Sequence, residues 1–182
     1  QPPDVVVGLG PAGQGQREAR GRRRQQVGAG RRGGGAESAG RLTLIDLDHV
    51  AESNINRQAH ALDATLGMAK VEAMTARVAG IHPACRVELI EDFVTPENAG
   101  ELLHGFDVVI DAIDNVRAKV AIAAICRQRR IPLVMAGGAG GKTDPTQIQV
   151  KKKKKKYQEP LLATLRQRLS QDYGINREKK KK

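Results

Sequence analysis

The run Leu42 to Lys70, LTLIDLDHVAESNINRQAHALDATLGMAK, constrains the fold of this chain more than any other segment. Its apolar start (Leu42, Leu44, Ile45) reads as a buried strand, and the strand stops on Asp46, where the apolar pattern breaks. A polar loop then delivers Asn54, Asn56 and Arg57, and a helix after it delivers Lys70. A carboxylate at a strand's C-terminal edge suits a ribose diol. An arginine and a lysine shortly downstream suit a triphosphate, whose non-bridging oxygens need fixed cations. The segment reads as a nucleotide site at the end of a sheet strand.

The same alternation of strand, loop and helix runs through the chain. Asp4 to Val7 reads as a short buried strand entering Gly8-Leu9-Gly10-Pro11-Ala12-Gly13. A helix is expected from Leu66 to Gly80, with Val71, Met74 and Val78 on one face and Gly80 as its stop. Arg86 to Glu91 alternates as a strand, and Thr95-Pro96-Glu97 starts a short helix with proline at its first position. Phe106 to Ile110 is a buried strand running into Asp111-Ala112-Ile113-Asp114-Asn115, followed by a helix from Val116 to Arg130 and a strand from Ile131 to Ala136. After the glycine cluster Gly137 to Gly141, Thr146 to Val150 alternates again, and Leu161, Leu165 and Leu169 stripe a last helix with Leu162 alongside. Buried strands alternating with helices predict an α/β fold, a doubly wound, mainly parallel sheet of Rossmann-like type with its ligand at the strands' C-terminal edges. Residues 1–150 form the nucleotide-binding domain in this reading, and residues 151–182 comprise a lysine run, the last helix and a tail.

Gln14 to Gly40 breaks the alternation. It is crowded with arginine and glycine and holds no Leu, Ile, Met or Phe. A crossover helix needs an apolar stripe to lie on the sheet, so this stretch reads as loop or disorder.

The net charge of +11 points towards nucleic acid only at first sight, because Lys151 to Lys156 and Lys179 to Lys182 carry ten of those charges. Without these two homopolymer runs the chain is almost neutral, so the basic composition carries little weight. Cys85 and Cys126 lie far apart and form no CxxC pair, which argues against a disulfide framework and a structural zinc. No apolar run reaches membrane-spanning length and no signal peptide opens the chain, so the cytoplasm is the expected compartment.

Each motif has a plainer alternative. Gly8 to Gly13 fits a glycine-rich phosphate turn after a strand, with Gly8 and Gly10 approaching the phosphates, but it also fits an ordinary glycine turn. Pro11 removes one N–H donor there, and the segment behind it offers no stripe for the helix that would hold such a turn rigid. Gly28 to Gly33 repeats the pattern with no strand before it and is taken as coincidence. Arg57 and Lys70 could be surface charges, yet the asparagines flanking Ile55 are a costly choice for a mere connection. Asp114 and Asn115 could cap the helix from Val116, ligate a metal or phosphate, or do both. AGGAGGKT (Ala136 to Thr143) nearly spells a phosphate-loop ATPase motif but runs into an alternating strand pattern instead of a helix, and is rejected. His49, His60, His82 and His104 show no metal spacing, and four scattered aromatics make no base-stacking platform.

The series IDLDHV, NINRQ (Asn54 to Gln58), LGMAK (Leu66 to Lys70) and DAIDN (Asp111 to Asn115) resembles the ubiquitin-activating-like ATP-binding superfamily. Within it, EDFVTPEN (Glu91 to Asn98) and GGAGGKTDPTQIQV (Gly137 to Val150) are similar to the branch of bacterial tRNA threonylcarbamoyladenosine dehydratases. The resemblance covers Arg41 to Val150 and resumes from Gln158 to about Tyr173. The sulfur-carrier adenylating relatives usually carry two CxxC zinc pairs, which this chain lacks.

The resemblance implies an ATP-dependent enzyme that adenylates the threonylcarbamoyl carboxylate on a tRNA adenosine, after which the side chain cyclises with loss of AMP. It implies ATP contacts from Gly8, Gly10, Asp46, Ser53, Asn54, Asn56, Arg57, Lys70, Asp114 and Asn115. The resemblance further implies Arg57, Lys70 and Asp114 as the catalytic group, with Asp114 as the Mg2+ ligand. Partners implied are tRNA carrying threonylcarbamoyladenosine, a second copy in a homodimer, and sulfur-transfer proteins. Three other readings use the same features: a sulfur-carrier or ubiquitin-like protein adenylating enzyme, an NAD-dependent dehydrogenase, and a basic RNA-binding module. The dehydrogenase leaves Arg57 and Lys70 unexplained, since a dinucleotide needs no triphosphate clamp.

Overall fold

The computed structural model describes residues 4–8, 40–138, 144 and 159–174. Five strands form one sheet: β1 (Asp4–Gly8), β2 (Arg41–Ile45), β3 (Arg86–Ile90), β4 (Val108–Asp111) and β5 (Leu133–Met135). They pair in the order β3-β2-β1-β4-β5, and every pairing is parallel. The chain therefore steps outward from β1 to β3, then returns to the other side of β1 for β4 and β5. The crossovers diverge between β1 and β4, and the ends of those strands frame the crevice where doubly wound sheets bind ligands.

The sheet buries both faces, as parallel sheets do. In β2 the alternation of side chains sends Leu44 to one face, with Val71 of α1 (Lys70–Ile81), and Ile45 to the other. On that second face Ile45 joins Val109, Leu103 and Ile113, together with Ala118, Ile122 and Cys126 of α3 (Val116–Arg129). The short α2 (Ala99–Leu102) closes this layer, and α4 (Pro160–Asp172) sets Leu165 and Leu169 against Val120, Ala123 and Ala124 of α3. Glu159 caps α4 by accepting from the Leu161 and Leu162 N–H groups, with Pro160 next in the first turn.

Several boundaries differ from the sequence reading, each for a local reason. The helix expected from Leu66 starts at Lys70, because Gly67 and Met68 pair with Val50 instead and Gly67 takes φ +79°. It continues through Gly80 to Ile81 and stops before Pro83, which disfavours helical backbone at His82. The helix expected at Thr95 begins at Ala99, since Thr95 and Asn98 first bond each other's backbone N–H groups in a turn. β4 starts at Val108, as Asp107 interrupts the apolar run, and β5 spans only Leu133–Met135. α3 ends at Arg129, with Arg130 in the left-handed region at φ 58°.

The glycine turn beyond Gly8, the segment from Gln14 to 39, the strand expected over Thr146 to Val150, most of the AGGAGGKT stretch and both lysine runs lie outside the described residues. Among the described residues no helix is long and apolar enough to cross a membrane.

Candidate functional site

Register alone assembles the site. Gly8 sits opposite Ile45 on one side and Asp111 on the other, so Asp46 and the loop Ala112 to Asn115 leave the sheet beside the end of β1. The Ala112 N–H donates to the Gly8 carbonyl at 3.2 Å and fixes that loop to the central strand.

Asp46 is buried at this edge. Its Oδ1 accepts from the Asp48 N–H at 2.9 Å, while its Oδ2 has no partner among the described residues. Burial pushes its carboxyl up to about 7, against the opposing pull of the Asp48 N–H and the Lys70 ammonium. Lys70, the first residue of α1, is fully buried and bonds Asp48 Oδ2 at 2.9 Å. The Lys70 N–H also donates to the Asp48 carbonyl at 2.9 Å, so strand end and helix start are tied twice.

The loop between them is built around Asn54. Its side chain is buried, its Oδ1 accepts from the Ala51 N–H at 3.1 Å, and its carbonyl accepts from the Arg57 and Gln58 N–H groups. Its Nδ2 has no partner among the described residues. That turn leaves Ser53, Asn56 and Arg57 exposed, with the Arg57 guanidinium donating to the Ser53 carbonyl and to Asn56 Oδ1. Asn54 therefore shapes the loop, and Arg57 is the cation it presents. His60 lies under the same loop with both ring nitrogens unpartnered among the described residues, and burial first, then Lys70 and Arg77, holds it below the usual imidazole range.

At the end of β4, Asp114 and Asn115 are both exposed. Asn115 caps α3 by accepting from the Arg117 and Ala118 N–H groups at 2.9 and 3.1 Å. The capping role expected of this pair belongs to Asn115, which leaves the Asp114 carboxylate at the edge. Beneath them is a pair the sequence reading missed. Asp111 Oδ1 accepts from the Ile113 N–H at 2.9 Å and from Lys119 Nζ at 3.1 Å, and Lys119 also bonds the Ala136 carbonyl at 2.9 Å. A signal existed: Lys119 is a lone cation in the apolar stretch AKVAIAAIC, on the helix face that must be buried. Asp48 was equally legible in Asp46-Leu47-Asp48.

Gly10 lies outside the described residues, and Gly8 has a packing reason to be glycine. A Cβ there would stand 2.9 Å from Ile113 Cδ1 and 3.0 Å from its Cγ1. Gly8→Ala should therefore lower stability by about 1–3 kcal/mol, the range for overpacking, in a urea melt. Adding Ile113→Val removes the Cδ1 contact but keeps Cγ1, and should recover part of the loss. A Gly8→Ala protein as stable as the parent would show that the Ile113 side chain turns away freely.

Among the described residues, no group of three or more His, Cys, Asp or Glu side chains could hold a metal by itself. Cys126 is buried in the core, where burial drives its thiol up to about 11, so it is no nucleophile.

An all-parallel, doubly wound sheet with a glycine at the end of β1, an acid at the end of β2 and a second acid loop at the end of β4 defines a Rossmann-like α/β domain. The chain belongs to the ThiF family, which it matches over residues 26–176. It is 51% identical over 144 residues to a tRNA threonylcarbamoyladenosine dehydratase of Escherichia coli, covering 79% of this chain and 54% of that protein. A namesake from Haemophilus influenzae is 48% identical over 144 residues, covering 79% and 55%. The crystal structure of the E. coli dehydratase in complex with ATP superposes with a TM-score of 0.74 at 51% identity, covering 78% of this chain and 59% of that one. The chain thus spans about half the length of the curated relatives it matches.

Proposed function

We propose that this chain carries the ATP-binding domain of an enzyme that dehydrates threonylcarbamoyladenosine in tRNA through an adenylated carboxylate. The observation that carries the reading is Asp46, a buried carboxylate at the C-terminal end of β2, beside the switch point, whose Oδ2 has no partner among the described residues. A ribose hydroxyl donating to that oxygen satisfies a polar atom whose desolvation is otherwise uncompensated. The 51% identity to a protein of that activity supports the substrate.

The first step joins a carboxylate oxygen of the threonylcarbamoyl group to the α-phosphorus and expels pyrophosphate. A heteroatom of the same side chain then attacks the activated acyl carbon, and AMP leaves. Negative charge accumulates on phosphate oxygens in the first step, so the site must present cations already in place. Arg57 presents an exposed guanidinium suited to two phosphate oxygens. Lys70, held at 2.9 Å by Asp48 at the start of α1, adds a fixed positive charge beside the Asp46 edge. Asn54 Nδ2 and the Asn56 and Ser53 side chains extend the donor set.

Asp114 would hold Mg2+, an ion that binds through one or two carboxylates together with phosphate and water. When bound, it would neutralise phosphate charge. In this reading the enzyme works in the cytoplasm as a homodimer with sulfur-transfer partner proteins, the last two supported by family resemblance.

The test is ATP–pyrophosphate exchange dependent on tRNA bearing threonylcarbamoyladenosine. The parent should exchange, and Arg57→Ala should lose about a hundredfold, the loss usual for one preorganised charge-stabilising donor. Binding of NAD tighter than ATP with Mg2+, measured by calorimetry, would overturn the reading in favour of a dehydrogenase.

A further inference from the structure

We infer that the cleft between the start of α3 and the end of α4 holds one unpaired RNA nucleotide, with Tyr173 stacked on its base and Arg117 and Arg168 on its phosphates. The inference rests on the reading above that RNA is the substrate. The cleft encloses about 210 Å3 and is lined by Pro96, Arg117, Val120, Arg168, Asp172 and Tyr173. Sites for whole drug-sized ligands run to roughly 300–1,000 Å3, so this one suits a single flat group.

Its chemistry matches a nucleotide part by part. Tyr173 is 48% exposed at the end of α4, beyond the buried Leu165 and Leu169, so its aromatic face is left in solvent. Pro96 and Val120 supply an apolar floor. Among the described residues, neither guanidinium has a hydrogen bond or ion pair, although both are flexible enough to find one. Two carboxylates stand close: Asp172 in the lining, and Glu97, which feels the Arg117 charge. They make the cleft a poor trap for free phosphate, while Asp172 can accept from a base amino group or a 2′-hydroxyl. Unpaired bases that stack on aromatic side chains are the usual object of RNA recognition, since the edges of duplex RNA are hard to reach.

Position ties the cleft to the chemistry. Arg117 stands two residues beyond Asn115 and three beyond Asp114, in the first turn of α3. A base held here is a near neighbour of the group presented to the β4 edge. The cleft would thus receive a nucleotide flanking the reacting adenosine in a single-stranded loop.

Fluorescence anisotropy with an RNA stem-loop and a blunt RNA duplex, across a salt series, tests this on the full chain. Tyr173→Ala should weaken the stem-loop about tenfold or more, the loss for one stacked base, and leave the duplex unchanged. Tyr173→Phe should bind as the parent does. Arg117→Gln with Arg168→Gln should flatten the slope of log K against log salt by about 1.4 for a single strand, whereas the lysine runs contribute equally to parent and variant. ATP binding by calorimetry should be the same in all of these proteins. If Tyr173→Ala weakens both RNAs alike, or neither, the cleft is not the site. If the parent binds ATP but neither RNA, the RNA-substrate reading fails, and this inference with it.

Discussion

Asp46→Asn should make the protein more stable and a poorer binder of ATP, and both changes should grow as pH rises. The Asp46 carboxyl titrates at about 7 in the fold against 3.8 when solvated, because burial outweighs the Asp48 N–H and Lys70. A raised folded value means that the fold binds the proton more tightly than the unfolded chain does. The associated stability is present below pH 3.8 and is lost progressively as pH rises through about 7. At roughly 1.4 kcal/mol per unit, the full loss is about 4 kcal/mol. Asparagine keeps an oxygen for the Asp48 N–H but brings an amide with no evident acceptor, which returns about 1–3 kcal/mol. The expected net gain is therefore about 2 kcal/mol at pH 8, turning into a net loss of about 1–2 kcal/mol near pH 4, in urea melts run at both.

The nucleotide sees the other side of this balance. A charge-assisted hydrogen bond from a ribose hydroxyl is worth about 1.5–3 kcal/mol, so the variant should bind ATP ten- to a hundredfold more weakly at pH 8. In the parent, only the ionised carboxylate accepts well, and ATP affinity should rise about tenfold from pH 6 to pH 8. Asp46→Asn should abolish that rise. A variant no more stable at pH 8 than the parent would show that the carboxylate is better solvated than its burial implies.

The sheet was legible because apolar strands announce themselves, and a parallel core buries them whole: Leu44 and Ile45 could only be interior. The ends of elements were less legible, because they are set by partners distant in sequence. Nothing in Leu66-Gly67-Met68 says that these residues bond back to Val50, and that pairing moves the helix start to Lys70. In the site, the residues expected at strand ends are there: Asp46 and Lys70 are brought together through Asp48, and Asp114 stands beside the cap Asn115. The sequence reading selected the exposed acid Asp114 and passed over the buried Asp111 three residues earlier. It weighed which groups could reach a ligand, and a carboxylate whose task is to hold a loop shows itself only when its counter-ion is located. Lys119 lies eight residues away, in the first turn of α3, and helical periodicity places it under the strand end.

Lys119→Met should be the most destabilising single change in the candidate site, and one of the easiest to rescue. Lys119 and Asp111 are both almost wholly buried, 3.1 Å apart, and the ammonium also satisfies the Ala136 carbonyl. Methionine fills much the same volume but leaves Asp111 as a buried charge with no counter-ion, a defect that costs about 3–5 kcal/mol. Burial already raises the Asp111 carboxyl even with Lys119 beside it. Without the lysine it rises further and the carboxyl takes up a proton sooner. Because the folded value is raised, the deficit should be largest at pH 8 and shrink on acidification to pH 5. Asp111→Asn in the Lys119→Met background removes the stranded charge and keeps an oxygen for the Ile113 N–H, so most of the stability should return. A double-mutant cycle should give a coupling of about 2 kcal/mol or more. Activity should follow the loop and not the charge. The Ile113 N–H bond to Asp111 Oδ1 shapes the turn that carries Asp114, and the double variant preserves it. ATP–pyrophosphate exchange should therefore recover together with stability. Additive effects of the two substitutions would show that Lys119 and Asp111 act separately, and recovery of stability without exchange would place one of them in the chemistry itself.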